Sequence, residues 1–266
     1  MIELYHHGTS VCAAKPRIVL AEKGLEWTGH YIDILKGEQF APAYLRLNPK
    51  GVVPTLVHDG HVLRESTLIS EYLDEVFTDP PLKPADPLDR HAMRMWTKRI
   101  DEGVFPATGV VTFAISHRHA VLANPPDVLD EYINKLGPAA APARRKRLET
   151  GIEDASARAA LRVYDTFIAD METALARRPW LAGDEFSLAE VGAIPFVNRL
   201  DMLQLSGMWT ASRPHLTDWW ERVKARPMFE GAMFKYVPPD LRQLMTDKGK
   251  EAWPQVKAIL AHKNAT

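Results

Sequence analysis

Hydrophobic and polar positions alternate in short blocks along the first 80 residues. Ile2 to His6 has strand character, and residues 11–23 form a helical block with Ile18, Val19 and Leu20 on an apolar face. Gly24 follows, a residue suited to the left-handed turn that ends helices. Residues 27–34 predict a second strand, so strand, helix, strand implies parallel pairing through a helical crossover. In "VPTLVHDGHVL", Asp59-Gly60 separates two strand-like arms, a strong hairpin signal. Pro54 cannot donate to a ladder and belongs at a strand end or edge. "ESTLISEYLDEVF" then sets Leu68, Ile69, Tyr72, Leu73 and Val76 at helical spacing.

With a helical segment at 39–47, the order βαβαββα predicts an α/β thioredoxin-like N-terminal domain. "DPPLKPADPL" holds four prolines in ten residues, a stiff connector and the clearest boundary in the chain. Asp86 can N-cap the next helix with Pro87 at its first position. Beyond it no strand pattern appears. Helices are predicted at 91–100, 157–175, 188–203 and 213–225, so the C-terminal domain is all-α. "FSLAEV" reads as a helix start: Ser187 caps, Glu190 returns the bond and Phe186 can staple to Val191. Residues 124–156, with "RRKRLE", predict a solvated helix or loop surface rather than a phosphate site. "KYVPPDLRQL" opens a tail of one or two helices. The resulting division is 1–80, a linker 81–88, a helical domain 89–236 and a tail 237–266.

Composition narrows the partners. Of 266 residues, 46% are hydrophobic and 25% charged, with a net charge of −1. No basic field is present to attract nucleic acid or a membrane surface. The single cysteine, Cys12, rules out an intrachain disulfide framework and fits a reducing compartment. The N-terminus lacks the features of a signal peptide, and no apolar stretch reaches membrane-spanning length, so a cytoplasmic protein is expected. The "NAT" triplet at the C-terminus is read as a chance glycosylation match. Dinucleotide, P-loop and zinc-protease motifs are missing. His117 and His119 are two apart, which points them to different helix faces, so no metal is expected. His6 and His7 read as polar strand-end residues.

Three short motifs carry candidate chemistry. Ser10 and Cys12 stand at a helix N-terminus, where unpaired N–H groups and the positive dipole end favour anions. A cysteine there can become a usable thiolate, and a serine hydroxyl can donate to a bound thiolate. Such a bond contributes roughly 1.5–3 kcal/mol, about one or two pKa units. Equally, Ser10 could be only an N-cap and Cys12 a small packing residue. Val53-Pro54 begins the third strand, where a cis bond in a thioredoxin-like domain presents backbone polar groups to a ligand. Glu65-Ser66 opens a helix: its N–H groups and hydroxyl can hold a carboxylate while Glu65 takes an ammonium group. Together the three would grip a γ-glutamyl tripeptide thiol.

"SVCAAKPRIVLAEKGLEW", "LNPKGVVPTLVHDG", "ESTLISEYL", the proline-rich linker and "FSLAEV" together resemble the cytosolic glutathione transferases over most of the chain. Ser10-x-Cys12 is similar to the zeta-class motif and to tetrachlorohydroquinone reductive dehalogenase. "ESTLISEYLDEVF", "LKPADPLDRHAMRMWTKRIDE" and "EYINK" look closer to bacterial enzymes that cleave lignin β-aryl ethers. The resemblance implies a transferase that joins glutathione to a hydrophobic, aromatic electrophile, an aryl ether first. Reductive dehalogenation or thiol–disulfide chemistry through Cys12 is the rival, and a non-catalytic binding protein a third reading. Ser10 matches the glutathione-activating serine, Cys12 the cysteine forming a mixed disulfide in the dehalogenase, and Thr9 the serine of theta-like members. Val53, Pro54, Glu65 and Ser66 match glutathione contacts, and Gln39 and Lys50 are candidates for its glycine carboxylate. Val52 stands where many relatives carry glutamine, which removes one polar contact. Relative to the ether-cleaving enzymes, Cys12-Ala13 replaces Asn-Ser. Trp96, Phe105, Val110, Phe113 and His117 are the implied lining for the second substrate, which the resemblance puts between the domains. A homodimer without metal is also implied.

Overall fold

Four short strands form one mixed sheet in the order β2-β1-β3-β4 in the computed structural model, which describes residues 1–134 and 137–261. β1 (Ile2–His6) leads into α1 (Val11–Glu22) and β2 (Thr28–Tyr31), then α2 (Pro42–Leu47), β3 (Thr55–His58), β4 (His61–Arg64) and α3 (Ser66–Val76). β1 and β2 are parallel, with Glu3 opposite Thr28, and β3 is antiparallel to both β1 and β4. Asp59 and Gly60 both have positive φ, 49° and 84°. That is the two-residue turn whose twist matches a hairpin.

Leu4, Ile18, Val19, Leu20, Leu56, Ile69 and Leu73 build the core of this block. Gly24, at φ 60°, follows the Lys23 C-cap of α1. Several expectations are corrected. β2 is shorter than 27–34, and the 39–47 segment divides into a 3₁₀ turn at Glu38–Phe40 and α2. Leu68 and Val76 are exposed rather than packed, because α3 turns only its Ile69 and Leu73 side inward. His6, the last residue of β1, and His7 after it are buried.

After the linker, α4 (Pro87–Arg99) starts on Asp86, whose carboxylate accepts from the Leu88 and Asp89 N–H groups. A π turn (Ile100–Val104), α5 (Phe105–Thr112), a second π turn (Phe113–His117) and α6 (Arg118–Leu122) continue the run. Pro106 lacks the N–H that would close the preceding turn, which accounts for the first widening. α7 (Pro126–Asn134) and α8 (Ala141–Thr150) occupy the polar segment. α9 (Ala155–Leu175), α10 (Leu188–Met202), α11 (Pro214–Lys224), α12 (Met228–Met233) and α13 (Pro239–Ala261) complete the helices. The tail is therefore one long helix over the described residues. Lys135 of "EYINK" and the "NAT" triplet lie outside the described residues.

At the start of α10 the predicted capping box is present. Ser187 Oγ accepts from Ala189 N–H at 3.2 Å, and the Glu190 carboxylate accepts from Ser187 N–H at 3.0 Å. Glu190 also accepts from Leu181 N–H at 2.6 Å, and burial pushes its carboxyl above the usual range. The chain divides into two compact units. One comprises Met1–Ile100, Thr173–Val197 and His215–Pro238; the other comprises Asp101–Glu172, Asn198–Pro214 and the chain from Pro239. Among the described residues, no helix is long and apolar enough to cross a membrane.

Candidate active site

Ser10 caps α1 with extended backbone, and its Oγ accepts from Ala13 N–H at 3.1 Å. Since Oγ serves there as the acceptor, the hydroxyl proton can donate to a ligand. The first turn of α1 carries no acidic side chain, so nothing offsets the positive end of its dipole. Cys12, half-buried and outside any disulfide, lies in that same turn. Thr9 lies deeper. Its N–H donates to His7 Nδ1 at 3.3 Å, and its hydroxyl is 3.1 Å from the same nitrogen.

The loop that presents Ser10 is fixed from below by Arg17. This buried guanidinium donates to the carbonyls of His7 (3.0 Å), Gly8 (3.2 Å) and Ala232 (2.8 Å). Burial lowers its pKa to about 10. Gly8 passes so close to Tyr236 that a Cβ there would lie 1.8 Å from the Tyr236 carbonyl oxygen. His6, 3.3 Å from Arg17, is held neutral: burial first, then the neighbouring positive charge, depress its pKa to about 3.

The Val53-Pro54 bond is cis. The Val52 carbonyl before it accepts from Tyr44 OH at 2.7 Å and Asn48 Nδ2 at 2.9 Å. Both groups also reach Thr55 Oγ1, at 3.0 and 3.2 Å. Val53 packs with Ala13 and Tyr44 in one buried cluster, so the first turn of α1 and the proline loop share a core.

Glu65, the residue before α3, has φ 68°, a rare conformation for a side chain larger than glycine. Such outliers concentrate at ligand sites. Its carboxylate meets Lys50 Nζ at 2.7 Å, both side chains being more than half exposed. An exposed pair of this kind is weak and can exchange partners with a ligand. Ser66 is buried at the start of α3, whose first turn is also free of acidic residues. Lys15 donates to Thr67 Oγ1 at 3.1 Å and so ties α1 to the beginning of α3. Gln39 donates to the Ile34 carbonyl at 3.3 Å, while its own Oε1 is buried with no hydrogen-bond partner. A buried acceptor in that state is what a ligand donor would satisfy. An oriented hydroxyl donor, an exchangeable carboxylate, two helix starts without acidic first turns and an open acceptor fit a peptide thiol.

The implied second-substrate residues are dispersed. Trp96 Nε1 donates to the Leu181 carbonyl at 3.0 Å within the first unit. In the second unit, Phe105 is about half exposed, Val110 and Phe113 line a common cavity, and His117 ends the second π turn. Among the described residues no group of His, Cys, Asp and Glu could hold a metal ion. Lys15, Arg17, Tyr44, Asn48 and Tyr236 escaped the sequence reading. Only Asn48, beside Pro49 and Gly51 in a turn-rich stretch, carried a local signal. The others act through partners remote in sequence.

Residues 9–76 match the glutathione S-transferase N-terminal domain family, and residues 141–227 match the glutathione S-transferase C-terminal domain family. Protein LigF of Sphingobium sp. strain SYK-6 is 30% identical over 255 residues, covering 93% of this chain and 98% of that protein. The crystal structure of beta-etherase LigF superposes with a TM-score of 0.73 at 29% identity, over 88% of this chain and 99% of that one. The tetrachloro-p-hydroquinone reductive dehalogenase of Sphingobium chlorophenolicum is 29% identical over 87% of this chain and 95% of its own length. Full-length similarity of this kind, joined to a thioredoxin-like sheet with the Ser10 helix start, the cis proline and the Glu65-Ser66 corner, means that the chain belongs to the glutathione S-transferase family and is a glutathione-dependent enzyme.

Proposed function

We propose that residues 1–80 bind glutathione and that the enzyme transfers its sulfur to an aromatic electrophile, preferentially by cleaving a β-aryl ether. The observation that carries the reading is the Ser10 hydroxyl, an acceptor for Ala13 N–H whose own proton is available to a bound sulfur. Val53 supplies backbone polar groups to the peptide, Ser66 and the start of α3 hold its α-carboxylate, and Glu65 releases Lys50 to take its ammonium. Lys50 and Gln39 are assigned to the glycine end.

In this mechanism the glutathione thiol loses its proton to water, because the α1 dipole and the Ser10 O–H stabilise the thiolate. The thiolate lone pair forms a C–S bond at the electrophilic carbon as the C–O bond breaks. The pair from that bond leaves as phenolate, and the product is a glutathione thioether. No oxidant or reductant is consumed. Trp96, Phe105, Val110, Phe113 and His117 are assigned to the electrophile. The enzyme is proposed to act as a cytoplasmic homodimer.

The second reading is reductive dehalogenation through Cys12, favoured by its place in the same helical turn as Ser10 and by the similarity to the Sphingobium chlorophenolicum dehalogenase. Glutathione consumption against β-aryl ethers and chlorinated hydroquinones, with products weighed by mass spectrometry, decides between them. A thioether plus a free phenol supports ether cleavage. Halide release with glutathione disulfide supports the dehalogenase, and no consumption of glutathione with either class overturns both.

A further inference from the structure

Three side chains close a small hydrogen-bond ring around one peptide unit of the thiol site. Tyr44 lies in α2, Asn48 is the C-cap of that helix, and Thr55 opens β3. All three are almost fully buried, which keeps solvent from competing for their polar atoms. Each proton in the ring has one assignment. The Tyr44 hydroxyl donates to the Val52 carbonyl at 2.7 Å, so across the 3.0 Å contact the Thr55 hydroxyl donates to Tyr44 Oη. The two Asn48 Nδ2 protons go to the Val52 carbonyl at 2.9 Å and to Thr55 Oγ1 at 3.2 Å. Asn48 Oδ1 accepts from Lys50 N–H at 3.2 Å, which fixes the way round the amide lies. Burial pushes the Tyr44 phenol up, so it stays a donor.

Both lone pairs of the Val52 carbonyl are therefore taken by side chains. That carbonyl and the Val53 N–H belong to one planar peptide unit, and in a trans unit the two point in opposite directions. The unit is trans, the cis bonds among the described residues being Val53-Pro54 and Asp79-Pro80. Pinning the carbonyl toward the buried ring turns the Val53 N–H away from it. One bond would let the peptide plane rock; two bonds from separate side chains hold it. Two donors on one oxygen also polarise the unit and make its N–H the stronger donor.

We propose that Tyr44, Asn48 and Thr55 are positioning residues for glutathione: through the Val52 carbonyl they aim the Val53 N–H at the peptide of the bound thiol. The inference rests on the reading that residues 1–80 bind glutathione with Val53 in contact. It assigns the three side chains to affinity for the tripeptide. Ionisation of the sulfur stays with Ser10 and the start of α1.

Calorimetric titration of the full chain with glutathione tests the proposal, together with the ultraviolet absorbance of the thiolate followed against pH at saturation. Tyr44→Phe and Thr55→Val are each expected to weaken glutathione binding at least fivefold, with the pKa of the bound thiol unchanged. The double variant should bind no more than twofold worse than the weaker single variant, because both changes act through one carbonyl. Thr55→Ser keeps the hydroxyl and should bind within twofold of the wild type. A merely structural role would lower the thermal midpoint of Tyr44→Phe and leave its glutathione affinity alone, and that result would overturn the proposal. So would a Thr55→Ser chain as weak as Thr55→Val, or a bound-thiol pKa that rises with the loss of affinity, since the damage would then reach Ser10. Tyr44→Phe keeps the ring that packs with Ala13 and Val53, so it decides the matter if Thr55→Val does not fold. A wild-type chain that takes up no glutathione overturns the glutathione reading and this inference with it. Wild-type binding with unchanged affinity in the variants overturns this inference alone.

Discussion

Under the proposed mechanism, the Ser10 hydroxyl separates ether cleavage from chemistry at Cys12. Ser10 has a backbone donor filling its acceptor role, whereas Thr9 is buried against His7. Ser10→Ala is expected to lower kcat/KM by roughly 10- to 100-fold, the value of a hydrogen bond to a charged sulfur. It also removes the α1 cap, about 1 kcal/mol of stability. Cys12→Ser should leave thioether formation intact; a collapse of that activity would move the chemistry to Cys12. His6 gives a pH signature. Its folded pKa of about 3 lies below its unfolded value of about 6.5. Below pH 6.5 the unfolded chain therefore takes up a proton that the folded chain refuses, and stability falls as pH drops toward 3. Between pH 7 and 5 this costs about 2 kcal/mol. Denaturant midpoints should show that extra loss in the wild type and not in His6→Gln; parallel losses would exclude His6 as the cause.

α1 is held in place by charged side chains that the fold buries. Lys15, Arg17 and Lys23 are all buried, each against partners on other elements. Lys23 Nζ meets the Asp74 carboxylate of α3 at 2.8 Å, with both side chains almost fully covered, and also donates to the Pro80 carbonyl at 2.6 Å. Asp74 accepts from Leu82 N–H at 2.8 Å. The ion pair thus joins two helices to the proline-rich connector. Removing one partner from a buried pair strands the other charge, at a cost of about 3–5 kcal/mol. Asp74→Ala should lower the thermal midpoint by on the order of 10 °C. A change within 2 °C, roughly the value of an exposed pair, would show that the pair is hydrated in solution.

In the whole molecule, the first unit is assembled from three separated stretches of chain. Arg17 needs the Ala232 carbonyl, Gly8 rests on Tyr236, and Arg226 reaches back to Glu22 with two 2.7 Å bonds. A fragment of residues 1–80 has the whole sheet but none of these partners. It should lack a cooperative unfolding transition and a native near-ultraviolet signal, even though its strands and helices are all local. A sharp transition in that fragment would show that the later stretches are dispensable to the thiol-binding fold. The boundaries between units fall inside α9 and α10, so no single cut in the sequence isolates either one.

The sequence by itself determined the locally coded elements and offered the candidate positions for chemistry. Asp59-Gly60, Asp86-Pro87 and Ser187 to Glu190 are local devices whose partners lie within a few residues, so turn, cap and capping box were legible without coordinates. Ser10, Val53-Pro54 and Glu65-Ser66 were legible as a set because each sits at a helix or strand start. Only the tertiary structure decided how they are held. Spacing along the chain cannot show that Lys15 reaches Thr67, that Tyr44 and Asn48 clamp the Val52 carbonyl, or that Ala13 packs with Val53. Nor could it show that "RRKRLE" turns two arginines onto a cavity beside Phe113. These contacts span between 4 and 52 residues of sequence and are fixed by packing rather than by local propensity.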